Sequence, residues 1–170
     1  MYTNTKGVKY LQAALKILHI STENHTIQEA NLVETIERSP ISLWIFSGSN
    51  QSVTDSNAPQ VPLELLENPH KKILCICYSM ESVLVQLGYP IITRKTKRNE
   101  LIQLNGLTVA RNHYAYIPIA ELDSKVHLIS SYKGEAMTVE VKNALLVQWH
   151  PERTPDGILF LVQWLMAFRA

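Results

Sequence analysis

A chain of 170 residues, 46% hydrophobic and 18% charged, holds enough apolar material for one compact soluble domain with a substantial core, residues 1–170. Its formal net charge of +1 supplies no field for gathering nucleic acid or an acidic membrane surface, so neither is an expected partner. Two cysteines two residues apart cannot staple a fold, no secretory signal precedes them, and no apolar run nears the roughly 20 residues that span a bilayer; the expected setting is a reducing cytoplasm.

Met1 to Gly7 is polar and short. From Val8 to Leu18 apolar residues recur at three- and four-residue intervals, which predicts a helix. A short extended piece around His25-Thr26-Ile27 follows, and Asn31 is placed to cap a second helix, Leu32 to Arg38, that Pro40 stops. Ile41 to Phe46 reads as a buried strand. It runs into Ser47-Gly48-Ser49-Asn50-Gln51-Ser52, a loop of small polar residues like those that line ligand sites at strand ends in open α/β sheets. Ala58-Pro59-Gln60 then leads to a third helix, Pro62 to Glu67.

The stretch Ile73-Leu74-Cys75-Ile76-Cys77-Tyr78-Ser79-Met80-Glu81 passes from a buried strand directly into a helical pattern that Gly88 closes. Such a strand-to-helix passage, with small residues two before and two after its middle cysteine, has the form of a nucleophile elbow. Cys75 and Ser79 fill the two small positions around Cys77. A helix N-terminus directly after Cys77 favours thiolate over thiol. A buried strand cysteine is more often simply a small apolar residue, and that is the reading for Cys75, since C-x-C alone cannot complete a zinc site. To this point helices and strands alternate, which implies parallel strands with helices on both faces.

From Pro90 the pattern changes to short alternating segments: Leu101 to Leu104, Leu107 to Ala110, Tyr114 to Ile117, Val126 to Ser130, Met137 to Val141 and Ala144 to Trp149. Turns are expected at Asn105-Gly106 and Lys133-Gly134. Arg94-Lys95-Thr96-Lys97-Arg98 reads as a solvated basic loop, with docking of an acidic partner as its sharper alternative. Gly157 to Phe168 is apolar nearly all round and predicts a buried or interface helix. His19, His25, His70 and His127 show no ligand spacing, and neither a metal nor an organic cofactor is expected.

Leu145 to Glu152 is a buried strand whose end carries His150 and, two residues on, Glu152. Strand ends of an α/β sheet gather at one edge, so His150 can meet Cys77 there. Imidazole takes a thiol proton, and a carboxylate on the other ring nitrogen fixes the tautomer. Pro151 bends the chain so that Glu152 can turn back on its own histidine. An isolated His-x-Glu is most often structural, and the weight of the reading comes from its combination with the elbow.

Ser47-Gly48-Ser49, Cys75-Ile-Cys77-Tyr-Ser79-Met80 and Gln148-Trp-His150-Pro-Glu152 resemble, in this order, the class I glutamine amidotransferases with their Cys-His-Glu triad. Ala58-Pro59-Gln60, Tyr-Ser-Met and Gln86-Leu87-Gly88 make the glutaminase domain of GMP synthetases the nearest resemblance, which spans Ile41 to Phe168. It implies a flavodoxin-like α/β fold: a central, mostly parallel sheet flanked by helices, with a small antiparallel extension. It also implies that Cys77 attacks the glutamine side-chain amide, His150 serves as base and then acid, and Glu152 orients His150. The thioester is hydrolysed to glutamate with release of ammonia. Backbone N–H groups of Tyr78 and the Gly48-Ser49 loop would meet the oxyanion.

Four departures from the family pattern accompany the resemblance. Ser49 stands where the family has glycine, and would be strained if that position needs positive φ. Glu81 replaces a glutamine close to bound substrate, which bears on substrate identity. Asn112-His113-Tyr114-Ala115 corresponds to Ser-His-Gly-Asp, which in the family helps hold the substrate's amino-acid end; His113 is kept and the acid lost, and His113 taken alone reads as structural. Only Met1 to Gly7 precedes the first helix, so the family's first strand is short or missing, and that sheet edge is bare or covered by another chain. The resemblance implies a glutaminase serving a separate ammonia-accepting, GMP synthetase-like subunit. The alternatives are a stand-alone hydrolase of other γ-glutamyl substrates and a catalytically impaired binding or regulatory relative.

Overall fold

The computed structural model describes residues 5–17 and 19–167. Residues 1–4, which bear on the expected short or missing first strand, lie outside the described residues, as do Leu18 and residues 168–170 at the end of the last predicted helix.

Helix α1 spans Thr5–Ile17 and α2 spans Leu32–Arg38. The extended piece expected at His25 to Ile27 forms no strand and passes into a turn. Asn31 stands at the expected cap position of α2, but its side chain makes no capping bond; its carbonyl accepts from Thr35 N–H at 2.8 Å instead. Strand β1 is Leu43–Phe46 and β2 is Lys72–Ile76. The helix expected over Pro62 to Glu67 is a 3₁₀ turn, Leu63–Glu67. Such turns are short by nature, because their hydrogen-bond geometry is poorer than that of an α-helix.

After α3, Tyr78–Gln86, Gly88 adopts φ +95° and ends the helix as its position predicts. Strands β3, Ile92–Leu104, and β4, Leu107–Tyr116, form a separate antiparallel hairpin. The basic run is therefore not a loop: it lies within β3, where pairing to β4 is irregular between Thr93 and Arg98. The two strands expected over Leu107 to Ala110 and Tyr114 to Ile117 are one continuous β4. Asn105 and Gly106 have φ of 50° and 82°, as do Lys133 and Gly134 at 51° and 81°, the left-handed pair a tight hairpin demands.

The main sheet has five strands in the order β1-β2-β7-β6-β5, with β5 at His127–Tyr132, β6 at Glu135–Val141 and β7 at Ala144–Val147. Strands β1, β2 and β7 run parallel; β6 turns back against β7, and β5 turns back against β6. Among the described residues β1 is an edge strand, and no strand precedes α1.

Alternation along β2 divides the apolar core. Ile73 and Cys75 pack with α2, the 3₁₀ turn and α3 on one face. Leu74 and Ile76 pack on the other face with α1, the β3–β4 hairpin and α4, Pro155–Met166. All four β2 residues are at most 1% exposed, so each contributes roughly 1.5–3 kcal/mol of apolar burial where its side chain is large. Helix α4 buries Leu161, Trp164 and Leu165 and leaves Leu159 and Met166 exposed. Its start is fixed by Thr154, whose hydroxyl accepts from Gly157 N–H at 3.0 Å. Gly157 is required there, because a Cβ would stand 2.3 Å from the Pro151 carbonyl oxygen. That close approach presses α4 onto the 3₁₀ turn Pro151–Arg153, which carries Glu152.

Candidate active site

The carboxyl ends of β1, β2 and β7 lie side by side, and each delivers one part of the site. Strand β2 ends at Ile76 and hands on to Cys77, whose N–H donates to Val147 O at 2.7 Å as though the ladder continued. The backbone then turns sharply. Cys77 has φ 54° and ψ −108°, and the next residue begins α3. A non-glycine residue in such a conformation carries strain of about 1–3 kcal/mol that its surroundings must hold. Strand alternation breaks at this point, and Cys77 joins the same core cluster as Ile76.

Two ties hold the turn. Ser79 Oγ donates to Ser47 O at 2.7 Å, binding the β1 loop to the elbow, and Tyr78 Oη donates to Pro59 O at 2.8 Å. Ser49 has no positive φ, so the strain expected of a left-handed glycine position does not arise there. Its hydroxyl accepts from Gln51 N–H at 3.1 Å within its own loop.

Gly48 shows how closely the halves approach. A Cβ built on it would stand 3.4 Å from His150 Cε1 and 3.5 Å from Cys77 Cβ. Imidazole and cysteine therefore flank one point beside a residue that has no side chain. His150 is held by a backbone bond from its N–H to Ala110 O at 2.8 Å, and its Nδ1 lies 2.8 Å from Glu152 Oε1. With Nδ1 donating to the carboxylate, Nε2 is the acceptor nitrogen; it is buried and has no hydrogen-bond partner. Pro151 and Glu152 are both buried, so the hydrogen-bonded pair is shielded from water.

The electrostatics of the sulfur oppose ready ionisation. Burial pushes the Cys77 thiol far up, and the neighbouring Glu81 and Glu152 carboxylates push the same way. The Tyr78 backbone N–H bonded to the sulfur, and Lys97 on the hairpin, pull it down. Burial also raises Glu81 to about 7, against a hydrogen bond from Gln148 that lowers it. Cys75 is likewise pushed far up, by burial alone, and lies in the core on the other face.

Of the remaining residues singled out in the sequence, Tyr78 and Gly48 stand at the elbow. Glu81 is 6% exposed, and its Oε1 accepts from Gln148 Nε2 at 2.8 Å. His113 lies in a buried charged group: its Nδ1 lies 2.6 Å from Ala115 O, and its Nε2 is 3.8 Å from Glu135 Oε2. Burial lowers its pKa to about 4. Gln148 carries weight that the motifs assigned only to its neighbours. Its Nε2 is also 3.8 Å from Cys77 Sγ, and the residue is fully buried. A carboxamide at the end of an otherwise apolar strand is the signal by which sequence alone could have found it.

Among the described residues no group of three or more His, Cys, Asp or Glu side chains could hold a metal ion. A cavity of about 640 Å³ opens along β1, lined by Leu11, Leu15, Trp44 and Phe46, and it reaches Ser47 and Ser79 without including Cys77 or His150. No helix among the described residues is long and apolar enough to cross a membrane.

No family model matches the chain. It is 26% identical over 145 residues to a glutamine-hydrolyzing GMP synthase from Glaesserella parasuis serovar 5 (strain SH0165), a match covering 72% of this chain and 28% of that protein. The chain thus spans little more than a quarter of that curated relative. Among solved structures it is similar to a GMP synthase subunit protein from Thermoplasma acidophilum, with TM-score 0.65 and 14% identity over 96% of this chain and 92% of the other. It is also similar to a glutamine amidotransferase, with TM-score 0.59 and 17% identity over 91% and 90% of the two chains. These structures share its fold, and together with the curated relative they support the relationship to class I glutamine amidotransferases that the motifs express.

Proposed function

We propose that the chain is a glutaminase of the class I amidotransferase type, hydrolysing the side-chain amide of glutamine through a thioester on Cys77. The observation that carries the reading is the convergence of His150 Cε1 and Cys77 Cβ within 3.4 and 3.5 Å of one point beside Gly48. In this reading Cys77 Sγ attacks the amide carbon as its proton passes to His150 Nε2. Because burial holds the thiol protonated, that transfer accompanies attack rather than preceding it. Glu152 stabilises the imidazolium through Nδ1. The oxyanion meets the Tyr78 N–H, now bonded to the sulfur, and an N–H of the Gly48-Ser49 loop. His150 then protonates the departing ammonia, and water, activated by the same imidazole, cleaves the thioester to glutamate.

The names of the relatives extend the proposal to a partner: a separate synthetase subunit that consumes the ammonia, of the GMP synthetase kind. The test is ammonia release from glutamine by the purified chain, with and without a GMP synthetase acceptor domain, beside Cys77→Ala. An electrophilic glutamine analogue is expected to label Cys77. Absence of both ammonia and label would end the proposal.

A further inference from the structure

Gln148 stands between two groups that compete for it. Its single donor nitrogen lies 2.8 Å from Glu81 Oε1 and 3.8 Å from Cys77 Sγ, so one amide hydrogen serves the carboxylate and the other faces the sulfur. All three residues are buried: Gln148 at 0%, Cys77 at 5% and Glu81 at 6% exposure. The Gln148 carbonyl oxygen has no partner, so nothing else fixes the orientation of the amide. Glu81 is anchored on the first turn of α3, where its N–H donates to Cys77 O at 3.1 Å. An anion there sits one helical turn from the sulfur, and among the described residues no cation pairs with it.

The other charged or titratable groups facing the sulfur are Glu152 and His150 beyond β7 and Lys97 on the hairpin. Glu152 spends its Oε1 on His150 Nδ1, and its Oε2 is buried without a hydrogen-bond partner among the described residues. Lys97 is exposed and lies over the Tyr114 ring, 5.4 Å from its centroid, where solvent weakens its charge. A second anion at the sulfur is thus opposed by Glu81 in a site too dry to screen it.

We propose that Glu81 is a positioning residue for Cys77, acting through the shared Gln148 carboxamide, so that the sulfur becomes a competent nucleophile when Glu81 carries a proton. Glu81 and Cys77 then titrate as a coupled pair that holds two protons below about 7 and one above it. A protonated Glu81 leaves the amide free to turn its hydrogens to the sulfur; an ionised one draws the amide back and repels the thiolate. The inference rests on the proposed glutaminase reading only for its consequence in catalysis, because thiol chemistry reports it directly.

The experiment is the pH dependence of iodoacetamide alkylation at Cys77, located by peptide mass spectrometry, in the wild-type chain and in Glu81→Gln. The variant keeps the side-chain volume and removes the charge. Its alkylation profile is expected to shift to lower pH by about one unit or more, with roughly tenfold faster alkylation at pH 7.5. A profile that overlays the wild type, or moves to higher pH, would overturn the inference. A second measurement needs no variant: the carboxyl ¹³C resonance of Glu81 in the wild type is expected to titrate near 7. A midpoint in the ordinary carboxylate range would overturn it equally. A shifted alkylation profile in a chain that releases no ammonia would keep this inference and sink the proposed function, and the reverse pattern would do the opposite.

Discussion

His150 Nδ1 and Glu152 Oε1 lie 2.8 Å apart across a single intervening proline, inside a turn that burial seals from water. Because the pair is built within three residues, its geometry depends on the turn, on α4 pressing against it and on the bond from His150 N–H to Ala110 O of β4. Glu152→Gln would keep the shape and lose the charge that stabilises imidazolium. Glutamine hydrolysis is expected to fall by on the order of a hundredfold or more, with the circular dichroism spectrum unchanged. Steady-state ammonia release measures it.

Gly48→Ala tests the same space from the opposite side. The new methyl would rest 3.4 Å from His150 Cε1 and 3.5 Å from Cys77 Cβ, and Gly48 has no positive φ for it to strain. The fold should accept it at a cost below about 1 kcal/mol. Turnover should nevertheless drop on the order of a hundredfold, because the methyl takes room beside the reacting carbonyl. Urea unfolding and ammonia release, measured on one preparation, separate the two effects.

Two buried groups give the folded chain opposing responses to pH. Glu81 titrates near 7, above its ordinary 4.5, so the stability linked to its uncharged form is fully present below about 4.5 and is lost as pH rises through about 7. His113 titrates near 4, below its ordinary 6.5, so its contribution is present above about 6.5 and is lost as pH falls through about 4. Between pH 4.5 and 6.5 the two slopes offset each other. In Glu81→Gln only the histidine remains, and unfolding free energy is expected to rise with pH across that window. At pH 8 the variant should be more stable than the wild type by on the order of 2–3 kcal/mol. Urea midpoints at three pH values decide it.

Glu135, 1% exposed, fastens the β3–β4 hairpin to the main sheet. Its carboxylate takes two bonds from Arg94, at 2.6 and 3.1 Å, and stands 3.6 Å from Arg111 Nη2. Glu135→Gln would leave Arg94 without its counter-charge and the almost wholly buried Arg111 with only the half-exposed Glu100, 3.4 Å from its Nε. A loss of about 3 kcal/mol or more is expected, measured by chemical denaturation, because a buried charge deprived of its partner costs far more than the pair contributes.

Local chemistry legible in the sequence foretold much of this arrangement. Alternation and run length marked β1, β2 and β7, and the small residues around Cys77 marked the sharp turn now seen at φ 54°. Asn-Gly and Lys-Gly marked two hairpins by the backbone freedom such turns need. What escaped local patterning depends on partners remote in the chain. Arg94 looked solvated because Glu135, 41 residues away, leaves no mark on the basic run itself. Gln148 stood in a motif with no role of its own, because its two acceptors lie 67 and 71 residues before it. The helix expected at Pro62 fell short because apolar spacing over so few residues does not distinguish a 3₁₀ turn from an α-helix. His113 taken alone reads as structural, and the charged cluster around it is invisible in the sequence because only the folded hairpin assembles it.

The strand that carries Cys77 sends Cys75 to the opposite core. An oxidised Cys77, at the sulfenic stage, would therefore find no resolving thiol within reach, since Cys75 could approach it only by dismantling β2. Rescue would have to come from an external reductant entering at the elbow, and exposure to peroxide would carry the sulfur onward to the irreversible sulfinic and sulfonic acids.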